Sequence, residues 1–125
     1  MKGRVMVVDD NKDILYTLRL ILEKNGYEVI TLDNGKDCLK TLEKGFKGVI
    51  LMDLMMPGLD GWHTINEIVK RDLDEDVVIE IMTGNGTSDF EKMQDIAAYI
   101  YDYLTKPLEE KEIVGSVEKG YDLIN

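Results

Sequence analysis

Short, β-branched apolar runs alternate along the chain with stretches whose apolar residues recur at three- and four-residue spacing, the pattern of βα units that build a parallel sheet. Five runs predict strands: Arg4–Val8, Tyr27–Thr31, Gly48–Met52, Val77–Met82 and Tyr101–Thr105. The first, third and fourth are nearly all apolar, as a strand must be when helices cover both its faces. Between the runs, Ile14, Leu15, Leu18, Ile21 and Leu22 fall on one helical face, as do Leu39 and Leu42, then Ile65, Ile68 and Val69, and finally Ile113, Val117 and Tyr121. A thinner stripe of Phe90, Met93, Ile96 and Ala97 predicts one more helix around Ser88 to Ala98, the fourth of five in chain order.

Turn chemistry agrees with these boundaries. Asn25-Gly26 closes the first helix, Asp33-Asn34-Gly35 opens the second, and Pro57-Gly58 interrupts the chain after the third strand. Crossovers between parallel strands are right-handed, so five βα units wind into an open sheet with helices on both faces, a doubly wound α/β fold. No repeat, low-complexity segment or linker divides residues 1–125, which read as a single domain.

The charge narrows the partners. Asp and Glu total 25 against 15 Lys and Arg, a formal net charge of −10. That field repels phosphate backbones and anionic lipid surfaces, so neither direct nucleic-acid binding nor a membrane partner is expected. Cys38 stands alone and no Cys/His cluster offers zinc ligands. A signal peptide and a run of membrane-spanning length are both missing from the pattern. The expected setting is soluble and cytoplasmic.

Candidate chemistry collects at strand ends. Asp9-Asp10 follow the first strand, Asp53 the third, Thr83 closes the fourth or begins the next loop, and Lys106 follows the fifth. All these ends lie along one edge of a parallel sheet, where ligands of open α/β sheets bind. Two like charges about 4 Å apart repel by roughly 4 kcal/mol even at an effective dielectric near 20, so three carboxylates there require a neutralising partner. Oxygen ligands without imidazole or thiolate point to Mg2+, with Ca2+ or Mn2+ as substitutes, and such a site invites a phosphate. A carboxylate nucleophile beside a Lys and a Thr matches the needs of aspartyl-phosphate formation, and Asp53, ending the central strand, is the best nucleophile. Seen singly, each feature has an ordinary reading: Asp9-Asp10-Asn11 as a helix cap, Asp53 as a solvated strand end, Thr83-Gly84 as the start of a plain loop. Their joint occurrence at four strand ends is what those readings leave unexplained.

The segments Val7-Val8-Asp9-Asp10-Asn11, Asp53-Leu54-Met55-Met56-Pro57-Gly58-Leu59-Asp60-Gly61, Met82-Thr83-Gly84 and Asp102-Tyr103-Leu104-Thr105-Lys106-Pro107 resemble, in this order, the receiver domains of two-component response regulators. The resemblance covers essentially the whole chain. It implies a flavodoxin-like (βα)5 three-layer sandwich with strand order 2-1-3-4-5, and a sensor histidine kinase or phosphotransfer protein that donates a phosphoryl group to Asp53. Asp10 and Asp53 would bind Mg2+ directly, the backbone carbonyl of Met55 would add a ligand, and Asp9 would act through water. Lys106 and Thr83 would grip the phosphoryl oxygens. Movement of Thr83 would let Tyr103 turn inward and reshape the surface of the fourth helix, fifth strand and fifth helix, which a downstream protein would read. The chain would be a monomer or a phosphorylation-dependent dimer that catalyses only its own phosphorylation and dephosphorylation. The Lys106-Pro107 peptide is expected to be cis.

Some positions depart from the family. Tyr99-Ile100-Tyr101 stands where Gly-Ala-Asp usually precedes Asp102, and Gly84 where many relatives have Ala. Met55 brings an apolar side chain close to the site and is expected to alter water access and the lifetime of the phosphorylated state. His63 reads as a surface residue and Cys38 as packing, while Met52, Met55, Met56 and Met82 read as core and loop filling. A small-ester phosphatase using Asp53 is disfavoured for want of a cap domain or substrate pocket. The intact acidic pair, Asp53, Thr83 and Lys106 argue against a receiver-like protein that binds partners without phosphorylation.

Overall fold

Each apolar run becomes a strand in the computed structural model, which describes residues 2–56, 58, 60–84 and 96–124. The strands are β1 (Gly3–Val8), β2 (Tyr27–Leu32), β3 (Gly48–Asp53), β4 (Val77–Thr83) and β5 (Ile100–Thr105). They pair in parallel in the order β2-β1-β3-β4-β5, as expected for a doubly wound, flavodoxin-like sheet. Helices α1 (Lys12–Lys24), α2 (Gly35–Glu43) and α3 (Gly61–Lys70) and a C-terminal helix (Glu110–Ile124) connect or follow them, with a short 3-10 turn at Ala97–Tyr99 before β5. Most of the helix expected around Ser88 to Ala98 falls outside the described residues. Among the described residues, no helix is long and apolar enough to cross a membrane.

Side chains alternate across the sheet, which sorts the core into two layers. Met6, Val8, Ile50, Met52, Ile79 and Ile81 pack with Leu39 and Leu42 of α2 and with Trp62, Ile65 and Ile68 of α3. On the opposite face, Val5, Val7, Val49, Leu51, Val78 and Met82 pack with Leu18 and Leu22 of α1 and with Ile113 and Val117 of the C-terminal helix. Strand β3 is buried at every position, the outcome its unbroken apolar run requires. Helix starts are fixed by side-chain caps: Asn11 accepts from the amides of Asp13 and Ile14, Asn34 from Asp37, and Asp60 from His63. Asn25 caps the end of α1, and Gly26 follows with φ +94°.

Two features tie the sheet to the C-terminal helix. Tyr121 stacks on Tyr27, and its hydroxyl accepts from the amide of Arg4 and donates to the Arg4 carbonyl. Gly3 and Gly48, both at φ +147°, make the room, because a Cβ at either would collide with the Tyr121 ring or its hydroxyl. At the other edge the β4–β5 register slips between Ile79 and Glu80: Ile79 pairs with Ile100 and Glu80 with Asp102, so Tyr101 is the extra residue of a bulge.

Candidate functional site

The chain winds from β1 outward to β2, then returns past β1 to β3, so the crevice at the carboxyl ends of β1 and β3 is where the winding reverses. The expected residues converge there. Asp9 and Asp10 follow β1, Asp53 is the last residue of β3 rather than the first beyond it, Thr83 closes β4, and Lys106 follows β5. Carboxylate oxygens of Asp9, Asp10 and Asp53 lie within 4.8 Å of one another. With Asn11, Met55, Gly84 and Lys106 they line an open hollow of about 400 Å3.

The two adjacent aspartates differ in environment. Asp9 is fully buried, Asp10 exposed. Lys106 Nζ lies 2.9 Å from Asp9 Oδ2 and 3.6 Å from Asp53 Oδ1, a cation shared between two buried carboxylates. Asp9 Oδ1 accepts from the Asn11 amide at 2.9 Å, and Asp53 Oδ1 from the Met55 amide at 3.2 Å. Burial first, and then the charge of Asp9, push the Asp53 carboxyl up to about 6, against the opposing pull of the Met55 amide and Lys106, while Asp10 adds to the rise. One lysine therefore does not neutralise three acids. The donor set is oxygen only and close-set, which fits a hard divalent cation.

The loop after β3 is held by local geometry. Gly61, first residue of α3, sits directly against this loop: a Cβ there would overlap the Asp53 carbonyl oxygen and lie 2.7 Å from Leu54 Cα. The Gly61 amide donates to the Leu54 carbonyl at 3.1 Å. Across the site, the Lys106 amide donates to the Thr83 carbonyl at 2.8 Å, and the Lys106-Pro107 peptide is cis. Thr83 itself is buried, whereas Tyr103 on β5 is 43% exposed.

The residues set aside on sequence grounds stay apart from this chemistry. His63 is exposed on α3 and pairs with Asp60 at 2.8 Å. Cys38 is buried in the core, and burial pushes its thiol up to about 12. Met52, Met56 and Met82 are buried, but Met55 is 62% exposed at the rim. Asn11 was legible only as part of the Asp-Asp-Asn run; its amide orients Asp9 while its side chain caps α1. Glu80 was not singled out, although it is the lone charge in an apolar strand run and is fully buried.

Comparison with known proteins agrees with this geometry. A family model described as the response regulator receiver domain matches residues 5–118. Protein PilH of Pseudomonas aeruginosa is 30% identical over 115 residues, covering 92% of this chain and 94% of PilH. A CheY-like response regulator receiver domain protein from Methanospirillum hungatei superposes with a TM-score of 0.92 at 35% identity, over 99% of this chain and 98% of that one. Response regulator TrrA from Thermotoga maritima, solved in complex with Mg(2+)-BeF, superposes with a TM-score of 0.80 at 28% identity, over 94% and 97% of the two chains.

Proposed function

The chain belongs to the receiver family of two-component response regulators, and on that premise we propose that it is a switch in which Asp53 accepts a phosphoryl group from the phosphohistidine of a sensor histidine kinase or phosphotransfer protein. Phosphorylation-dependent signalling is general to the family, whose members are signalling proteins rather than metabolic enzymes. The observation that carries the reading here is Lys106 set between the buried carboxylates of Asp9 and Asp53 at the mouth of an acidic hollow.

Oδ1 of Asp53 is engaged by the Met55 amide and by Lys106, which leaves Oδ2 for the attack. A new P–O bond forms as the P–N bond to imidazole breaks, and the imidazole leaves neutral after taking a proton from solvent. Lys106 balances the charge that gathers on the phosphoryl oxygens, and the Thr83 hydroxyl takes one of those oxygens. Receiver domains bind Mg2+ at an acidic pocket, and Asp10 and Asp53 with the Met55 carbonyl would hold it here, Asp9 acting through water. The ion would neutralise the clustered carboxylates and the incoming phosphate.

Lys106 also borders an apolar groove lined by Ile14, Leu18, Pro107, Leu108 and Ile113. A protein donor reaching Asp53 therefore has apolar surface to rest on, which a small phosphate ester would not use. On the output side, Thr83 drawn toward the phosphate lets the Tyr103 ring turn inward and changes the face around β5 and the C-terminal helix that a downstream protein reads. Residues 1–125 act in this scheme as one receiver domain in the cytoplasm, monomeric or dimerising on phosphorylation.

Intact mass after incubation with acetyl phosphate and Mg2+ tests the reading. One phosphoryl adduct is expected in the wild-type chain, and none in Asp53→Asn or with chelator. A folded protein that gains no adduct under any condition would overturn it.

A further inference from the structure

Strand β4 places a single charged residue in an otherwise apolar run, Val77-Val78-Ile79-Glu80-Ile81-Met82, and the fold buries that residue completely. Register pairs Glu80 with Leu51 on β3 and Asp102 on β5. The C-terminal helix closes over it at Gly120, where a Cβ would stand 3.0 Å from Glu80 Oε2 and 3.0 Å from Val49 Cγ2. Helix backbone and carboxyl group thus meet at contact distance, and glycine is what allows the approach.

Among the described residues, no group stands in hydrogen-bonding geometry to either Glu80 oxygen. The helix supplies one polar neighbour, Ser116, whose hydroxyl donates to Asp102 Oδ2 at 2.8 Å. A hydroxyl has one proton to give, so while Ser116 donates to Asp102 it can meet Glu80 only as an acceptor for a protonated carboxyl, and to donate to an ionised Glu80 it must leave Asp102. The charged surroundings do not favour ionisation. Asp102 faces the spot from β5 and is negative; β3 presents Val49 and Leu51, which carry no charge. From the C-terminal helix, Lys111, Glu112 and Lys119 line a hollow beside Asp102 and Ser116. No lysine or arginine pairs with Glu80 among the described residues. A buried carboxylate without a partner is strongly disfavoured.

We propose that Glu80 is a proton-operated latch between the sheet and the C-terminal helix: protonated, it lets the helix seat against β4, and on losing its proton to solvent it sets an uncompensated charge beneath Ser116 and Gly120 that loosens the helix. The latch stands independently of phosphorylation, although the helix it holds borders the face assigned above to the output.

Burial pushes the Glu80 carboxyl from 4.5 up to about 8, the charge of Asp102 adding to the rise and the Ser116 hydroxyl opposing it. The folded value lies above the unfolded one, so between these limits the folded chain holds a proton that the unfolded chain has lost. Stability therefore falls as pH rises through that window and levels off above it. Asp53, raised to about 6, acts in the lower part of the window, which leaves the upper part to Glu80.

The test is a pH titration of the full 15N-labelled chain by NMR across the upper part of that window and beyond it, with melting temperatures at each step. In wild type the amide signals of Asp102, Ser116 and Gly120 are expected to shift together with a midpoint near 8, and the melting temperature to fall up to that point. In Glu80→Gln both responses are expected to vanish while acetyl phosphate still labels Asp53 at neutral pH. A wild-type chain without this midpoint, or a Glu80→Gln chain that keeps it, overturns the latch. Should Glu80→Gln not fold, the 13C carboxyl resonances of wild type decide: one glutamic acid still protonated at neutral pH supports the latch, and a full set of ionised glutamates overturns it. Loss of labelling with the titration intact would count against the phosphorylation reading alone.

Discussion

At Gly61 the backbone of α3 meets the backbone of the loop that follows β3 with no space between them, since any Cβ would overlap the Asp53 carbonyl oxygen. Forcing an extra methyl into such a contact typically costs about 1–3 kcal/mol. Gly61→Ala is expected to lose stability by that amount in urea denaturation and to take up phosphoryl groups more slowly, because the displaced atoms belong to Asp53 and Leu54. Met55 acts at the same loop from outside. Its amide holds Asp53 Oδ1 while its side chain stands at the rim, 62% exposed. Met55→Asn keeps the amide and replaces the apolar cover with a polar group, so the decay rate of the phosphorylated form is expected to change. Equal decay rates in the two proteins would remove any role for this side chain in excluding water.

The elements show what the sequence made legible and what it did not. Strands β1, β3 and β4 were readable because burial on both faces demands nearly all-apolar runs, and the structure extends each by one residue. The same logic ended the third strand at Met52, because Asp53 is not apolar, and the structure carries β3 one residue further, through the buried Asp53. Register was not readable: nothing local to Tyr101 signals the bulge opposite Ile79 and Glu80. Tyr121 was readable as a core position from helical spacing, but its bonds to Arg4 span 117 residues of sequence and arise only from packing. Tyr121→Phe keeps the ring and removes the hydroxyl, leaving the amide and carbonyl of Arg4 without that partner. Denaturation should report a loss of about 1–3 kcal/mol, the usual cost of a stranded polar group. A chain as stable as wild type would mean that water replaces the hydroxyl without penalty.

Over the whole molecule, acidic residues outnumber basic ones by ten, and three of the acids meet at one strand-end crevice. A cation that binds only the folded arrangement stabilises it by mass action, by about 2.7 kcal/mol at a hundredfold excess over Kd. Millimolar Mg2+ is therefore expected to raise the melting temperature by several degrees over a chelator control, and Asp53→Asn to shrink that rise. Superimposable melting curves with Mg2+ and with chelator would tell against the metal site. The site's membership was legible because a parallel sheet sends every strand's carboxyl end to one edge. The unequal burial of Asp9 and Asp10, and the sharing of Lys106, were not, since they depend on side-chain packing.

Lys106 and Asp9 are 97 positions apart in the chain, and the cation follows the fifth strand, β5. A nascent chain emerging from the ribosome would carry its acidic pair and Asp53 long before the lysine that balances them. Competence to be phosphorylated would thus wait on β5, and chains made only as far as β4 would be unable to draw phosphoryl groups away from those that have completed the sheet.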